Sequence, residues 1–148
     1  MKNIVIIGGS GALGSAFVKL FSAQAEHTVY SYSRAETNFA EANVIAHYIN
    51  TDDEGSIAEA VDALPAEVEI DMLLVCTGIL HEGEMMPEKS IAEIDKAKMQ
   101  RLYEVNTIGP TIVVKHFLPK MRKKSGAVIG LISARLSSIS DNRIGGWH

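Results

Sequence analysis

The chain has 148 residues, a length that fits one domain with a sizeable core. Hydrophobic residues make up 47% and charged residues 22%, as in ordinary globular proteins, and the formal net charge of −4 excludes the basic footprint typical of nucleic-acid binding. A single cysteine, Cys76, rules out an internal disulfide. With no apolar stretch of the ~18 residues that a membrane span needs and no signal-peptide core, these features predict a cytoplasmic protein.

Strand and helix patterns alternate from the first residues onward. Apolar, β-branched runs predict five strands: Asn3–Ile7, Thr28–Ser33, Val44–Ile49, Met72–Cys76 and Ala127–Ile132. Helical spacing of apolar residues predicts four helices: Ala12–Gln24, Ser56–Leu64, Ile91–Val105 and Thr107–Arg122. Ser56, with Glu59 three residues later, predicts a capping box on the second helix.

This alternation predicts one α/β domain over residues 1–148, a doubly wound parallel sheet of the Rossmann type with strand order 3-2-1-4-5. Ligands in such sheets bind beyond the carboxyl ends of the strands, at the topological switch point. Those ends carry five polar clusters: Gly8–Gly14, Ser33-Arg34, Asn50–Asp53, Thr77-Gly78 and Ser133. We therefore expect all five to converge on one crevice.

The turn after the first strand contains Gly9-x-Gly11-x-x-Gly14, the dinucleotide-binding spacing. Glycines let the backbone turn sharply, approach a diphosphate without a Cβ in the way, and pack a helix close to its strand. The diphosphate then lies at a helix N-terminus, which favours negative charge. The sequence thus predicts a coenzyme-binding segment made of Gly8, Gly9, Ser10, Gly11, Ala12, Leu13 and Gly14.

The end of the second strand bears on the choice of coenzyme. An NAD-specific site usually carries Asp or Glu there, to accept hydrogen bonds from the ribose. This chain has Ser33 and Arg34 instead. Arg34 would clamp a 2′-phosphate through its planar fork while Ser33 donates a hydrogen bond, which favours NADP over NAD. The alternative is that Arg34 is a solvated surface residue.

These residues resemble the short-chain dehydrogenase/reductase family, and more narrowly its C-factor-like branch, over the whole chain but only the N-terminal portion of the family's usual length. Gly8–Gly14 is similar to the family's GxxxGxG turn, with Ala12 in place of the middle glycine. Val75–Gly78 stands where the family has Asn-Asn-Ala-Gly, which implies that Thr77 and Gly78 flank the adenosine ribose. Asn50 falls where the family often has an Asp near the adenine.

The resemblance also implies two catalytic residues. Glu104-Val105-Asn106-Thr107 is similar to the family's Asn-Val-Asn segment, so Asn106 would bend its helix and hold a water in the proton relay. Ser133 ends a strand like the one that leads to the family's catalytic serine, and its hydroxyl would stabilise charge developing on the substrate oxygen. Ser137 and Ser138 are the competitors if the loop is aligned differently.

The family's proton donor is the Tyr of a Tyr-x-x-x-Lys segment. None of the chain's tyrosines (Tyr30, Tyr32, Tyr48 and Tyr103) has a lysine four residues later. The resemblance therefore implies the N-terminal part of a reductase, without the C-terminal strands and the catalytic helix. We expect such a chain to bind coenzyme with negligible hydride transfer, and to self-associate as a homo-oligomer through an exposed apolar face of Thr107–Arg122.

The function that these features favour is hydride transfer between NADP(H) and an alcohol or carbonyl group of a small molecule. The alternative is a non-catalytic nucleotide-binding or signalling module, and an epimerase of the same fold is a remoter one. Neither His81 nor His148 has the spacing of a metal ligand. No metal, nucleic-acid or membrane partner is expected.

Overall fold

The computed structural model describes residues 1–123, 126–134 and 140, over which strands and helices alternate. The strands are β1 (Asn3–Ile7), β2 (Thr28–Ser33), β3 (Val44–Tyr48), β4 (Met72–Val75) and β5 (Val128–Leu131). The α-helices are α1 (Ala12–Ser22), α2 (Glu54–Asp62), α3 (Lys96–Tyr103) and α4 (Gly109–Phe117). Among the described residues, no helix combines the length and apolar composition needed to cross a lipid bilayer.

The five strands form one parallel sheet in the order β3-β2-β1-β4-β5, and the predicted fold class is confirmed. β1 lies at the centre, with Val5 paired to Tyr30 of β2 on one side and to Leu73 of β4 on the other. The chain moves outward from β1 to β3 and then returns to β4. The switch point therefore lies beside the carboxyl end of β1.

Both faces of β1 are buried, because alternate residues of a strand point to opposite faces. Ile4 and Ile6 pack with Val18 beneath α1. Val5 and Ile7 belong to the larger cluster on the other face, which contains Phe117 of α4. The continuous apolar run of β1 is thus the sequence of a strand covered by helices on both sides.

The predicted capping box on the second helix is wrong. Asp53 is the N-cap of α2, and its side chain accepts a hydrogen bond of 2.9 Å from the backbone N–H of Gly55. Ser56 lies inside the helix, where its hydroxyl accepts from the backbone N–H of Asn50 at 2.9 Å. This side-chain cap satisfies an amide of the first turn, which explains why the helix begins two residues early.

The two predicted helices on either side of Asn106 form one irregular helical run. A π-helical turn, Glu104–Ile108, joins α3 to α4, and its signature is a hydrogen bond from Gly109 N–H to the Glu104 carbonyl, five residues back. Pro110 explains the distortion, because it has no N–H for the carbonyl of Asn106 and its ring crowds that carbonyl. A short 3₁₀ turn at Leu118–Lys120 continues the run after α4, whereas the 3₁₀ turn at Ile91–Glu93 is separated from α3 by the extended residues Ile94 and Asp95.

The expected apolar face of Thr107–Arg122 is mostly not exposed. Val113, Phe117 and Met121 are buried in the chain's own core, so the prediction that they are exposed is wrong. Ile108 retains 41% of its accessible surface. The reason is that α4 itself covers the sheet beside α2, which turns its apolar stripe inward.

Candidate active site

A cavity of about 350 Å³ opens at the carboxyl ends of the strands, and we call it the crevice. Seven of the predicted coenzyme residues line it: Gly8, Ser10, Gly11, Ser33, Arg34, Thr77 and Gly78. In the described part of the chain, the other predicted site residues do not line it: Gly9, Ala12, Leu13, Gly14, Asn50, Asn106 and Ser133. Thr51 and Asp52 of the predicted cluster Asn50–Asp53 also line it, and residues missed by sequence reasoning complete the lining: Ala35, Ile49, Cys76, Ile79, Arg101 and Val105.

The glycine-rich turn is shaped by backbone hydrogen bonds. Gly8 has a φ of +88°, a conformation that side chains disfavour. The amides of Gly8 and Gly9 both donate to the carbonyl of Tyr32, at 2.8 and 3.0 Å, which fastens the turn to the end of β2. Gly11, which lines the crevice, is the N-cap of α1 and supplies no side-chain cap, so the first amides of that helix have no partner from the cap residue's side chain.

Two of the glycines are required by close packing and not by a ligand. A Cβ on Gly14 would collide with the carbonyl of Gly8, and one on Gly9 would collide with the hydroxyl of Ser31. A Cβ on Gly11, by contrast, would approach only the Gly8 carbonyl, at 3.3 Å. The three glycines of the motif therefore serve different purposes, and Gly11 is the one that leaves open space at the crevice.

Ser33 and Arg34 lie at the end of β2, as predicted. The hydroxyl of Ser33 is buried and donates to the carbonyl of Ala35 at 2.7 Å, so its proton is already used within the protein. The side chain of Arg34 is exposed at the mouth of the crevice. In this arrangement Arg34 places a positive charge at the crevice, while the hydroxyl of Ser33 holds the backbone next to Arg34.

Beyond β3 the structure places Asp52, and not Asn50, at the crevice. The side-chain oxygen of Asn50 accepts from the Asp52 amide at 3.2 Å and so stabilises the turn. Asp52 projects at the crevice wall, where its carboxylate lies 3.0 Å from a guanidinium nitrogen of Arg101. The sequence shows that Asp52 is close to Asn50, but it does not show which of the two side chains reaches the cavity.

The segment after β4 brings two distinctive side chains to the crevice. The hydroxyl of Thr77 is buried and has no hydrogen-bond partner among the described residues. Burial raises the pKa of the Cys76 thiol, which is half-buried and packs with the apolar cluster beneath α1. A thiol held neutral in this way is a packing residue, whereas the Thr77 hydroxyl has unused hydrogen-bonding capacity.

Asn106 lies within the π turn and is bound to the segment after β4. Its side-chain oxygen accepts from the Ile79 amide and its side-chain nitrogen donates to the Ile79 carbonyl, both at 2.8 Å. This pair of bonds resembles one step of a sheet ladder. Asn106 thereby fixes the path of the chain just after Gly78, on the rim of the crevice.

Ser133 follows β5, with Ile132 still bonded through its amide to the Val75 carbonyl at 3.0 Å. The residue is exposed and lies on the same edge of the sheet as the crevice. The alternatives Ser137 and Ser138 lie outside the described residues. The catalytic assignment of Ser133 stays a prediction.

A three-way ion cluster lies at the wall of the crevice, where two of its members, Asp52 and Arg101, line the cavity. Arg101 of α3 makes a bidentate pair with Glu82, with its Nε and one Nη at 2.8 and 2.9 Å from the two carboxylate oxygens. Its remaining Nη contacts Asp52 at 3.0 Å. The hydrogen bond from Arg101 lowers the pKa of Glu82, which keeps that carboxylate ionised. Sequence alone gave no signal for this cluster, because its members come from three separate segments.

Comparison with known proteins gives one consistent result. The family profile described as short chain dehydrogenase matches residues 2–140. The short-chain dehydrogenase fogD of Aspergillus ruber is 26% identical over 83% of this chain and 42% of its own length. Benzil reductase ((S)-benzoin forming) of Bacillus subtilis is 25% identical over 85% of this chain and 51% of its own length. The chain thus spans about half the length of these curated relatives.

The fold is shared with solved structures as well. A short-chain dehydrogenase/reductase from Burkholderia multivorans with bound NADP superposes with a TM-score of 0.82, at 21% identity. The match covers 98% of this chain and 64% of that protein. At this identity the likeness establishes the fold.

Proposed function

Since the chain belongs to the short chain dehydrogenase family, we propose that it is the coenzyme-binding part of an oxidoreductase that transfers hydride between NADP(H) and an alcohol or carbonyl of a small molecule. The observation that carries the proposal is the glycine turn of Gly8–Gly14. It places the uncapped N-terminus of α1 beside a cavity at the switch point of the sheet.

The described residues fit such a coenzyme. Gly11 leaves the space that a Cβ would fill next to the diphosphate, and the buried hydroxyl of Thr77 has hydrogen-bonding capacity to offer a ligand. When bound, the nicotinamide supplies or accepts the hydride. The amide of Gly11 already donates to the carbonyl of Gly8 at 3.0 Å, so the amides of Ala12 and Leu13 would hold the diphosphate, with Thr77 and Gly78 along the ribose.

NADP is proposed over NAD. Arg34 is exposed at the mouth of the crevice, and no acidic residue stands at the end of β2. A guanidinium binds a 2′-phosphate with two parallel hydrogen bonds, whereas a carboxylate there would repel it. The bound NADP of the Burkholderia multivorans protein is consistent with this choice.

Two residues are proposed for the chemistry. Ser133, at the carboxyl end of β5, would donate a hydrogen bond to the substrate oxygen, so that charge developing there is stabilised. Asn106 would act from the π turn, where its side chain already holds the Ile79 backbone. The carbonyl of Asn106, which Pro110 cannot engage, would hold the water of a proton relay.

The printed sequence contains no Tyr-x-x-x-Lys segment, which the family uses for proton transfer. We therefore propose that the 148-residue chain binds NADP(H) but does not turn over by itself, and that it corresponds to the N-terminal portion of a C-factor-like reductase. The same observation, with Val75–Gly78 in place of Asn-Asn-Ala-Gly, supports the second candidate function, a nucleotide-binding module without catalysis.

A charge placed at Gly11 tests the proposal. Gly11→Asp puts a good helix cap at the start of α1, so we expect an unchanged or higher melting temperature. The same carboxylate repels the diphosphate, so NADPH binding, followed by coenzyme fluorescence, should weaken by about a hundredfold. Gly11→Asn is the matched control, since it caps the helix without a charge and should lose less affinity.

Two results would contradict the proposal. One is no NADPH binding by the folded wild-type chain. The other is equal affinity in wild type and Gly11→Asp, which would move the diphosphate away from the glycine turn. Turnover of a carbonyl substrate by the 148-residue chain would contradict only the proposed lack of catalysis.

A further inference from the structure

We propose that Arg101 is a positioning residue for the coenzyme. It neutralises the carboxylate of Asp52 at the crevice wall and that of Glu82 next to it, so that a polyanionic coenzyme can enter the adenosine side. The inference rests on the proposed function, because it concerns the affinity of the same crevice for NADP(H).

The geometry shows a guanidinium with all three nitrogens engaged. Two of them bind the carboxylate of Glu82 in the parallel bidentate arrangement, and the third binds Asp52. The side chain of Arg101 is 31% exposed, so the cluster is only partly screened by water. Each partner comes from a different segment: Asp52 follows β3, Glu82 follows β4, and Arg101 lies in α3.

The cluster of Arg101, Asp52 and Glu82 lies on the side of the crevice where the adenosine of a dinucleotide is expected to bind. Asp52 and Arg101 line the same cavity as Arg34, at the end of β2, where a dinucleotide places its adenosine ribose. The positive charge of Arg34 also contributes to the lowered pKa of Glu82, after the hydrogen bond from Arg101. Without Arg101, the unpaired carboxylate of Asp52 would face the incoming phosphates, and that of Glu82, which does not line the cavity, would compete for Arg34, the cation proposed to bind them.

The segment that carries Glu82 is held in place from both ends. A short antiparallel bridge between Glu82 and Met85, with Gly83 at a φ of +57°, fixes the turn that presents the carboxylate. Asn106 binds Ile79, three residues earlier. Arg101 and Asn106 are five residues apart, a spacing that does not share a face in an α-helix, and the π turn brings them to the same loop.

Variants that remove single charges separate a positioning role of Arg101 from a merely structural one. Arg101→Met leaves Asp52 and Glu82 without their cation, so NADPH binding should weaken by about tenfold, and NADH binding by about threefold because NADH lacks the 2′-phosphate. Adding Glu82→Gln in the Arg101→Met background removes one repelling charge and should restore most of the NADPH affinity. Raising the salt concentration should shrink the defect of the single variant.

A second variant keeps the test valid if Arg101→Met fails to fold. Glu82→Gln alone leaves Arg101 paired with Asp52, and NADPH should bind about threefold more tightly than to wild type. The inference is overturned if Glu82→Gln weakens NADPH binding, if the double variant binds no better than Arg101→Met, or if NADPH and NADH lose affinity equally. No coenzyme binding by the wild-type chain would instead refute the proposed function.

Discussion

The two ends of the central strands use their polar groups differently. At the amino end, Asp71 accepts from the Asn3 amide at 2.8 Å and from Arg122 Nε at 2.6 Å, and the side chain of Asn3 donates to the Glu69 carbonyl. At the carboxyl end, the Thr77 hydroxyl has no partner among the described residues. The hydrogen bonds around Asp71 therefore stabilise the fold, whereas Thr77 keeps unused hydrogen-bonding capacity at the crevice.

The largest expected effect is the loss of stability in Gly14→Val. It would limit the comparison, because Gly14 lies at the carboxyl end of the sheet and yet supports the fold by close packing. Gly14→Val pushes a side chain into the carbonyl of Gly8 and forces α1 away from β1. We expect the free energy of unfolding, measured by urea denaturation, to fall by about 3 kcal/mol or more, with NADPH binding lost as well.

The matched control is Gly11→Ala, at the neighbouring glycine of the same motif. Its new Cβ approaches the Gly8 carbonyl no closer than 3.3 Å, so the cost should be about 1 kcal/mol or less. Equal stability losses at the two positions would show that the helix does not depend on close contact at Gly14.

A smaller effect should follow from Asp71→Asn, and it should affect stability alone. The change removes the charged partner of Arg122 at the amino end, far from the crevice, and should cost about 1.5 kcal/mol at pH 7 without changing NADPH affinity. Glu69→Gln is the control. Glu69 is exposed and lies 3.4 Å from Arg122, so its loss should cost under about 0.5 kcal/mol.

The pair of Asp71 and Arg122 also predicts that the stability of the protein depends on pH. Burial opposes the ionisation of Asp71, but hydrogen bonds from Arg122 and Asn3 outweigh it and lower the pKa of Asp71. Because the folded pKa is depressed, the stabilisation is present above the ordinary value of about 3.9 and is lost as the pH falls through the folded pKa. Acid should therefore destabilise wild type more steeply than Asp71→Asn below about pH 4. Parallel pH profiles would contradict this.

The parts of the fold that depend on residues close together in the sequence could be predicted. β1 and β2 have their predicted bounds, and the strand order follows from the alternation of elements. The π turn was not predicted, although Pro110 was visible, because helical periodicity says nothing about a single widened turn. The buried positions of Val113 and Phe117 depend on where α4 packs, which the pattern of one helix does not give.

The candidate site also has a part that could be predicted from local sequence and a part that could not. The glycine turn is a local motif, and all three of its residues that line the crevice, Gly8, Ser10 and Gly11, were predicted. Asp52, Glu82 and Arg101 were not identified as a cluster, since three segments must fold together before their charges meet. Asn50 was chosen over Asp52 because sequence position near the adenine does not show which side chain closes the turn and which faces the cavity.

The smallest expected effect, that of Thr77→Val, sharpens the comparison most, because stability and NADPH affinity should change in opposite directions. Thr77→Val keeps the shape of the side chain but removes a buried hydroxyl that has no partner in the described protein. The folded chain should be unchanged or more stable by up to about 1 kcal/mol, while NADPH should bind about fivefold more weakly. Ser31→Ala is the matched control: its hydroxyl is also buried without a described partner, but it lies behind Gly9, outside the crevice. That variant should gain stability without losing affinity, and a shared loss of NADPH binding would mean that Thr77 acts through packing and not as a ligand to the coenzyme.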